Sequence, residues 1–393
     1  MTYKNIFVDG SLSEITVDNG VIAEIEAVEG DIPDGEELFF ALPSLVNMHT
    51  HSAMTLLRSA GSGLPLFRWL NEAIFPLEAK LTAEDIYRGA LEACEEMRQT
   101  GTTAFNDMYF SIQSTLRAAK ETNMHANIAL SVTDRDCEDK QMIAKFLDSI
   151  HNEFKDSGCT FSIAPHSIYT VSGKNLQMLA DFAKEHSTLF HIHLSETQKE
   201  REDCIIENGV PPVVYLERLG IFDKVGSHFI GAHSLWLDET EIKILGAHNV
   251  TVVHCPNSNL KLGSGCRFLY TELRDAGVNV TLGTDGCASS DNLDMIEAMK
   301  VMSLLQKGTR NDPSVLPAEE VLKVASINGR RTLGLPDNSI ATGNTADFFV
   351  VSLNSRYFKN IDLRNSTPAQ RHKEFLNRLI YAADGNAVSN TIN

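Results

Sequence analysis

The middle of this 393-residue chain alternates short apolar runs with helical patterns, and few folds accommodate that rhythm. The candidate strands are Leu45–Val46, Thr103–Asn106, Ala126–Val132, Phe161–Ala164, Leu189–His193, His228–Ala232, Val250–His254 and Val278–Leu282. Helix-period segments separate them, for example Ala83–Gln99, Asn175–Glu185 and Thr240–Ala247. Eight strand-then-helix units in roughly 300 residues is the arithmetic of an α/β fold of the (β/α)8, or TIM-barrel, type. A doubly wound open sheet is the alternative. It usually carries a glycine-rich phosphate turn, and no G-x-G-x-x-G follows an early strand here.

The two ends read differently. Ile6–Val8, Ile15–Val17 and Val21–Ala23 are short strands, and Asp18-Asn19-Gly20 is a hairpin signal between the last two. Asp347–Val351 is a strand near the other terminus, and Leu379–Tyr381 reads as one more. The expectation is a small β-sandwich domain built from residues 1–42 and 340–393, wrapped around a metal-binding barrel at 43–339. Leu316–Leu333 reads as a further helix, started by Pro317 and stopped by Gly334. The end at Asn390–Asn393 leaves open whether that β-domain has all its strands.

Composition narrows the partners. Apolar residues make up 43%, enough for a sizeable core. A formal net charge of -18 repels nucleic acid and anionic membrane surfaces, so neither is expected. The seven cysteines are scattered without a C-x-x-C, which fits reduced thiols in a cytoplasmic protein. No signal peptide or membrane span is visible. A small-molecule substrate is the expected partner, and self-association stays open.

The chemistry lies at the strand ends. In His49-Thr50-His51, alternate side chains of an extended strand share a face, as two ligands of one metal ion require. His166 ends the fourth strand, His191 and His193 lie on the fifth with Glu196 just beyond, and His233, His254 and Asp285 end the sixth to eighth. In a barrel these ends form one ring around one mouth. Singly, each has a plain reading: a structural strand-end histidine, a turn aspartate at Asp285, a helix-start carboxylate at Glu196. Their shared register favours a site. Zinc takes imidazole nitrogen and carboxylate oxygen and lowers the pKa of a bound water toward neutrality; Fe2+ and Mn2+ accept the same donors. Glu196 is placed to take a proton from water and deliver it to a substrate ring nitrogen.

Several segments carry a family resemblance. They are Val46–Arg58 with His49-Thr50-His51, Phe75-Pro76-Leu77-Glu78, Asn106–Phe110, His191-Ile192-His193-Leu194-Ser195-Glu196-Thr197, Ala232-His233-Ser234, His254–Leu262 and Leu282-Gly283-Thr284-Asp285-Gly286. On these the chain resembles the metal-dependent amidohydrolases, in particular the branch of methylthioadenosine/S-adenosylhomocysteine deaminases and related chlorohydrolases. The resemblance implies one divalent ion held by His49, His51, His193 and Asp285. It implies Glu196 as proton shuttle, His233 as a histidine bonding the attacking water, and Asp285 as that water's base. It implies Glu78 on the ribose hydroxyls and Trp69, His166 and Ser289 in the pocket wall. For Glu78 the alternative is a solvated helix-start residue, and for Trp69 plain core packing.

The implied reaction is hydrolytic deamination of an adenosine-type nucleoside: 5′-methylthioadenosine, S-adenosylhomocysteine, 5′-deoxyadenosine or adenosine. The products would be the inosine analogue and ammonia. Some homologues that bind S-adenosylhomocysteine hold its amino-acid tail with arginines after strand three. Here Arg135 is flanked by Asp134 and Asp136, which offset its pull on a carboxylate and favour a substrate without that tail. Two other readings compete: a deaminase or chlorohydrolase of guanine or a triazine, and a non-catalytic scaffold on the same fold.

Overall fold

The computed structural model describes residues 1–29, 32–33, 35–138, 153–154 and 157–393. Eight parallel strands form the barrel wall: β5 (Leu45–Thr50), β6 (Thr102–Tyr109), β7 (His125–Val132), β8 (Thr160–Pro165), β9 (Phe190–Leu194), β10 (Phe229–His233), β11 (Thr251–His254) and β12 (Asn279–Leu282). Each of the eight expected runs is one of these strands. They neighbour one another in chain order, as right-handed strand–helix–strand crossovers require. The last seam, between β12 and β5, is no regular ladder. The Thr284 amide donates to Asn47 Oδ1 at 3.0 Å and the Asp285 amide to the His49 carbonyl at 2.9 Å.

The helices around the wall follow their local signals. Ala83–Gln99 begins at a reciprocal Thr82/Asp85 capping box and buries Ile86, Ala90, Ala93, Cys94 and Met97, one stripe at helical spacing. Glu239–Ala247 starts on a second capping box at Asp238/Glu241. The expected helix 316–333 does start after Pro317 and stop at Gly334, but it is two helices, Ala318–Ala325 and Ile327–Leu333. They break at Ser326, whose φ of -134° and ψ of -93° are not helical.

The termini join in one continuous six-stranded sheet, ordered β14-β13-β4-β1-β2-β3. Its strands are β1 (Thr2–Val8), β2 (Ser11–Asp18), β3 (Val21–Ala27), β4 (Phe39–Pro43), β13 (Phe348–Ser352) and β14 (Val388–Ile392). The hairpin between β2 and β3 turns on Asn19 and Gly20, both at positive φ (49° and 76°). One face of the sheet carries Ile6, Ile15, Ile22, Phe348 and Val350, which pack as a core of their own. The other carries Phe7, Phe40, Phe349 and Val351 into the main core. Leu379–Tyr381, expected as a strand, belongs to the helix Pro368–Ala382. Thr367 and Gln370 cap that helix, and Phe375, Leu376, Leu379 and Ile380 form its buried stripe, a period of 3.6 that the three-residue run hides. It packs against the helices Met295–Arg310 and Ala318–Ala325, and Phe375 stacks on Phe40 of the sheet. No helix among the described residues is long and apolar enough to cross a membrane. Of the seven cysteines only Cys266 is exposed, and the other six are buried.

Candidate active site

The carboxyl ends of β5, β9, β10 and β12 bring six polar groups to one point. Suitable ligand atoms of His49, His51 and His193 lie within 4.8 Å of one another, and so do those of His49, His233 and Asp285. His51 Nε2 is 3.2 Å from Asp285 Oδ1 and 3.4 Å from His193 Nε2. His49 Nε2 faces the same Asp285 oxygen at 3.5 Å and, though fully buried, has no hydrogen-bond partner. A buried nitrogen left open toward two imidazoles and a carboxylate is the donor set of a divalent metal. The residues present therefore fit the ion.

The backbone is bent to make this point. Ser195, His233 and Asp285 have φ of 48°, 70° and 65°, left-handed conformations that non-glycine residues adopt at a cost. All three sit at or just past a strand end, where the chain turns over the barrel mouth. Asp285 is then fixed from two sides, by Ser258 Oγ donating to Oδ2 at 2.6 Å and the Gly286 amide to Oδ1 at 2.8 Å. His51 and His193 each place Nδ1 2.7 Å from a backbone carbonyl, of Met108 and His166 respectively. That leaves Nε2 of both rings toward the centre.

Charge follows burial. Burial alone would raise the Asp285 carboxyl, but the His49 and His51 rings that face it hold it well below the usual carboxylate range. Burial also works to lower His51, and the Asp285 bond and charge overcome it and raise the ring to about 9. Burial lowers His49 and His233 to about 4. Glu196 is pushed up to about 8, first by burial and then by the Asp285 charge, against the hydrogen bond from Ser264. Its Oε1 accepts from Ser264 Oγ at 3.2 Å, and its Oε2 lies 3.9 Å from His233 Nε2. A carboxyl with that value carries its proton near neutral pH, as a donor to a ring nitrogen must. Glu200, one helical turn on, accepts from the Ser195 and Glu196 amides at 2.9 and 2.7 Å and so pins the strained turn.

A cavity of about 570 Å³ opens over this point, a size suited to a nucleoside. Its floor holds His51, His193, Glu196, His233 and Asp285, and its wall includes Glu78, Trp69 and His166. The Glu78 side chain is buried, and Oε1 has no partner, so it is not a solvated helix-start residue. Burial raises its pKa, against the pull of nearby Tyr109 and His51. Trp69 lines the cavity and also packs with Leu66, Leu70 and Ile74, so both readings of it hold. Ser289 lies off the cavity lining. The helical turn Cys287–Ser290 directs its hydroxyl back to the Gly286 carbonyl at 3.1 Å. His254 is also absent from the lining. Its ring stacks on Phe268, centroids 4.1 Å apart, with neither nitrogen bonded. Sequence reasoning missed Ser258, Asn259, Ser264 and Glu200, which hold the working groups. Ser258 and Asn259 lie in the segment quoted for the resemblance, but their partners are 27 and 26 residues away in the chain.

An eight-stranded barrel with convergent histidines and an aspartate at its carboxyl end defines a metal-dependent hydrolase type of site. Residues 40–392 match the sequence profile of the amidohydrolase family, and the chain belongs to that family. It is 41% identical over 360 residues to a 5′-deoxyadenosine deaminase of Methanoregula boonei, covering 90% of this chain and 77% of that one. It is 38% identical to 5-methylthioadenosine/S-adenosylhomocysteine deaminase 1 of Archaeoglobus fulgidus, covering 100% of this chain and 89% of that one. Among solved structures, it is similar to an adenosine deaminase from Xanthomonas campestris with bound zinc. That match has a TM-score of 0.83 and 31% identity, covering 96% of this chain and 86% of that one.

Proposed function

We propose that this chain is a hydrolytic deaminase of an adenosine-type nucleoside, with 5′-deoxyadenosine or 5′-methylthioadenosine as the preferred substrate. The observation that carries the reading is the sharing of one cavity by Glu196 and Glu78, whose buried Oε1 has no partner. A purine placed on the floor meets a proton donor, and its ribose meets a hydroxyl acceptor. Much of the wall is apolar, with Met54, Leu66, Leu70, Ile74 and Phe75, which suits a 5′-methyl or methylthio group. The relatives' names point the same way.

His49, His51, His193 and Asp285 would hold one divalent ion, zinc by preference. When bound, that ion lowers the pKa of water toward neutrality. The residues do the rest. Glu196 gives its proton to the ring nitrogen beside the amino-bearing carbon, which makes that carbon more electrophilic. Asp285 takes the proton of the attacking water, its Oδ2 held by Ser258. His233, whose Nδ1 lies 2.9 Å from the Asn259 amide, hydrogen-bonds the incoming oxygen through Nε2. A proton then passes to the amino group and ammonia leaves. The residues at 43–339 form the catalytic domain in this reading, with the terminal segments as its support.

Arg135 favours a second substrate. It lines the cavity, and the carboxylates beside it are engaged elsewhere. Asp134 Oδ1 accepts from the Ser172 amide and hydroxyl, and Asp136 Oδ2 from the Thr133 amide and hydroxyl. Arg135 still has an aspartate on either side in the chain, whose charges offset its own, so a tail-less nucleoside remains preferred over S-adenosylhomocysteine. A panel of 5′-deoxyadenosine, methylthioadenosine, S-adenosylhomocysteine, adenosine, guanine and a chlorotriazine, read by ammonia or chloride release, tests this. Turnover is expected to be fastest with the first two. Release from guanine or the triazine alone would overturn the nucleoside reading, and no release with a metal-loaded protein would favour the scaffold.

A further inference from the structure

Barrel interiors are normally filled by layers of branched apolar side chains. Here the layer beneath the site is polar. On β9, His191 and His193 share a face, so His191 points into the barrel one layer below. Around it stand Asn106 from β6, Asn127 from β7 and Ser162 from β8, all buried. Polar groups at that depth cost stability unless bonded. These are bonded in series. His49 Nδ1 and His191 Nε2 lie 3.0 Å apart, and the Asn106 carboxamide is 3.1 Å from His191 Nδ1. Asn127 Nδ2 donates to Asn106 Oδ1 at 2.6 Å and to Ser162 Oγ at 2.7 Å. Thr160 Oγ1, near the opposite end of the barrel, donates to Asn127 Oδ1 at 3.0 Å.

His51 and His193 rest on backbone carbonyls, whereas the third histidine, His49, rests on another side chain. Its ring meets His191 edge-on, at 85°. Without that contact the ring has no hydrogen bond to fix its rotation about the Cβ–Cγ bond, and the direction of Nε2 depends on that rotation. We propose that His191 is a positioning residue for His49, and that the buried column of Asn106, Asn127 and Ser162 holds His191 in place. The proposal rests on the reading of His49 as a metal ligand. Groups that orient a ligating imidazole typically govern affinity by 10- to 100-fold.

The test is titration of the metal-free protein with Co2+, followed by its visible absorption and by competition with a chelator. Wild type should take up one ion per chain, and His49→Ala none. His191→Leu removes the contact at similar volume, and Co2+ affinity should fall about 10- to 100-fold with an altered band. His191→Gln, whose carboxamide returns a hydrogen-bonding group toward His49, should recover most of the affinity. Loss of stability alone would not separate Leu from Gln in the spectrum. If His191→Leu fails to fold, His191→Asn, too short to reach His49, should show the same loss. Either variant binding Co2+ with wild-type affinity and spectrum overturns the inference while leaving the metal site standing. A His49→Ala protein that binds Co2+ like wild type overturns the ligand reading and this inference with it.

Discussion

A glutamate, an aspartate and a histidine show how surroundings, rather than residue type, assign roles. Glu196 and Asp285 are both carboxyls at the mouth, yet burial and the Asp285 charge keep a proton on Glu196 while two imidazoles strip Asp285 of its own. Glu196→Gln should therefore retain one metal per chain and lose at least about 100-fold in kcat, because an amide cannot pass a proton on. Metal analysis beside single-turnover assays checks this. Loss of metal in that variant would make Glu196 a ligand instead. Asp285→Asn should lower both metal content and rate. His254 gives a prediction about stability. Burial, then the His233 charge, lowers its ring to about 3. An unfolded histidine titrates near 6.5, so between those values the unfolded chain takes up a proton that the folded one refuses. Stability from this group is present above about pH 6.5 and is lost as pH falls toward 3. His254→Phe should remove about 2 kcal/mol of the loss between pH 7 and pH 5, read by urea melts of the metal-free proteins. Parallel pH slopes for the two proteins would refute it.

The strands were the legible part, because a period of two and a fixed functional end are local rules. His49 and His51 could be paired from two residues of spacing; the assumed barrel put His193, His233 and Asp285 in the same ring, with His166, His191 and His254, and the family resemblance singled them out. What holds these groups was not legible. The His49–His191 contact spans 142 residues and the Ser264–Glu196 bond 68, and no local pattern encodes either. Nor do local rules predict left-handed Ser195, His233 and Asp285, since only the completed barrel fixes where those turns must go. The helix 368–382 was misread because a short apolar run fits either period. The end of β12 shows how closely the seam is fitted. A Cβ on Gly283 would sit 2.8 Å from both the amide nitrogen and the carbonyl oxygen of His49. Neither atom can yield without moving β5. Gly283→Ala should shift His49 and lower metal retention after dialysis by about 10-fold or more, with the melting temperature falling as well. Full metal content in that variant would mean that the seam does not place His49.

The barrel and the terminal sheet meet across one buried ion pair. Arg330, in the helix 327–333, and Asp347, just before β13, are each about 1% exposed. Thr103 on β6 donates to Asp347 Oδ1 at 2.7 Å, and Asn338 Nδ2 spans the Asp347 and Ser44 carbonyls at 3.1 and 3.2 Å. The cluster therefore ties the start of the barrel wall, its last helix and the sheet to one carboxylate. None of these residues lines the catalytic cavity, so the loss of the cluster should be felt in stability rather than chemistry. Breaking such a pair strands a charge out of water, at a cost of about 3–5 kcal/mol, whereas replacing both partners by apolar groups is often neutral. Asp347→Asn should lower unfolding free energy by about that amount while KM and metal content stay at wild-type values. The double change Arg330→Met with Asp347→Leu should recover most of the loss. Denaturant melts alongside steady-state kinetics decide the matter. A single variant that melts like wild type would show that the pair does not hold the two units together. One that keeps its stability but loses metal would show that the sheet reaches the site through Ser44 and β5.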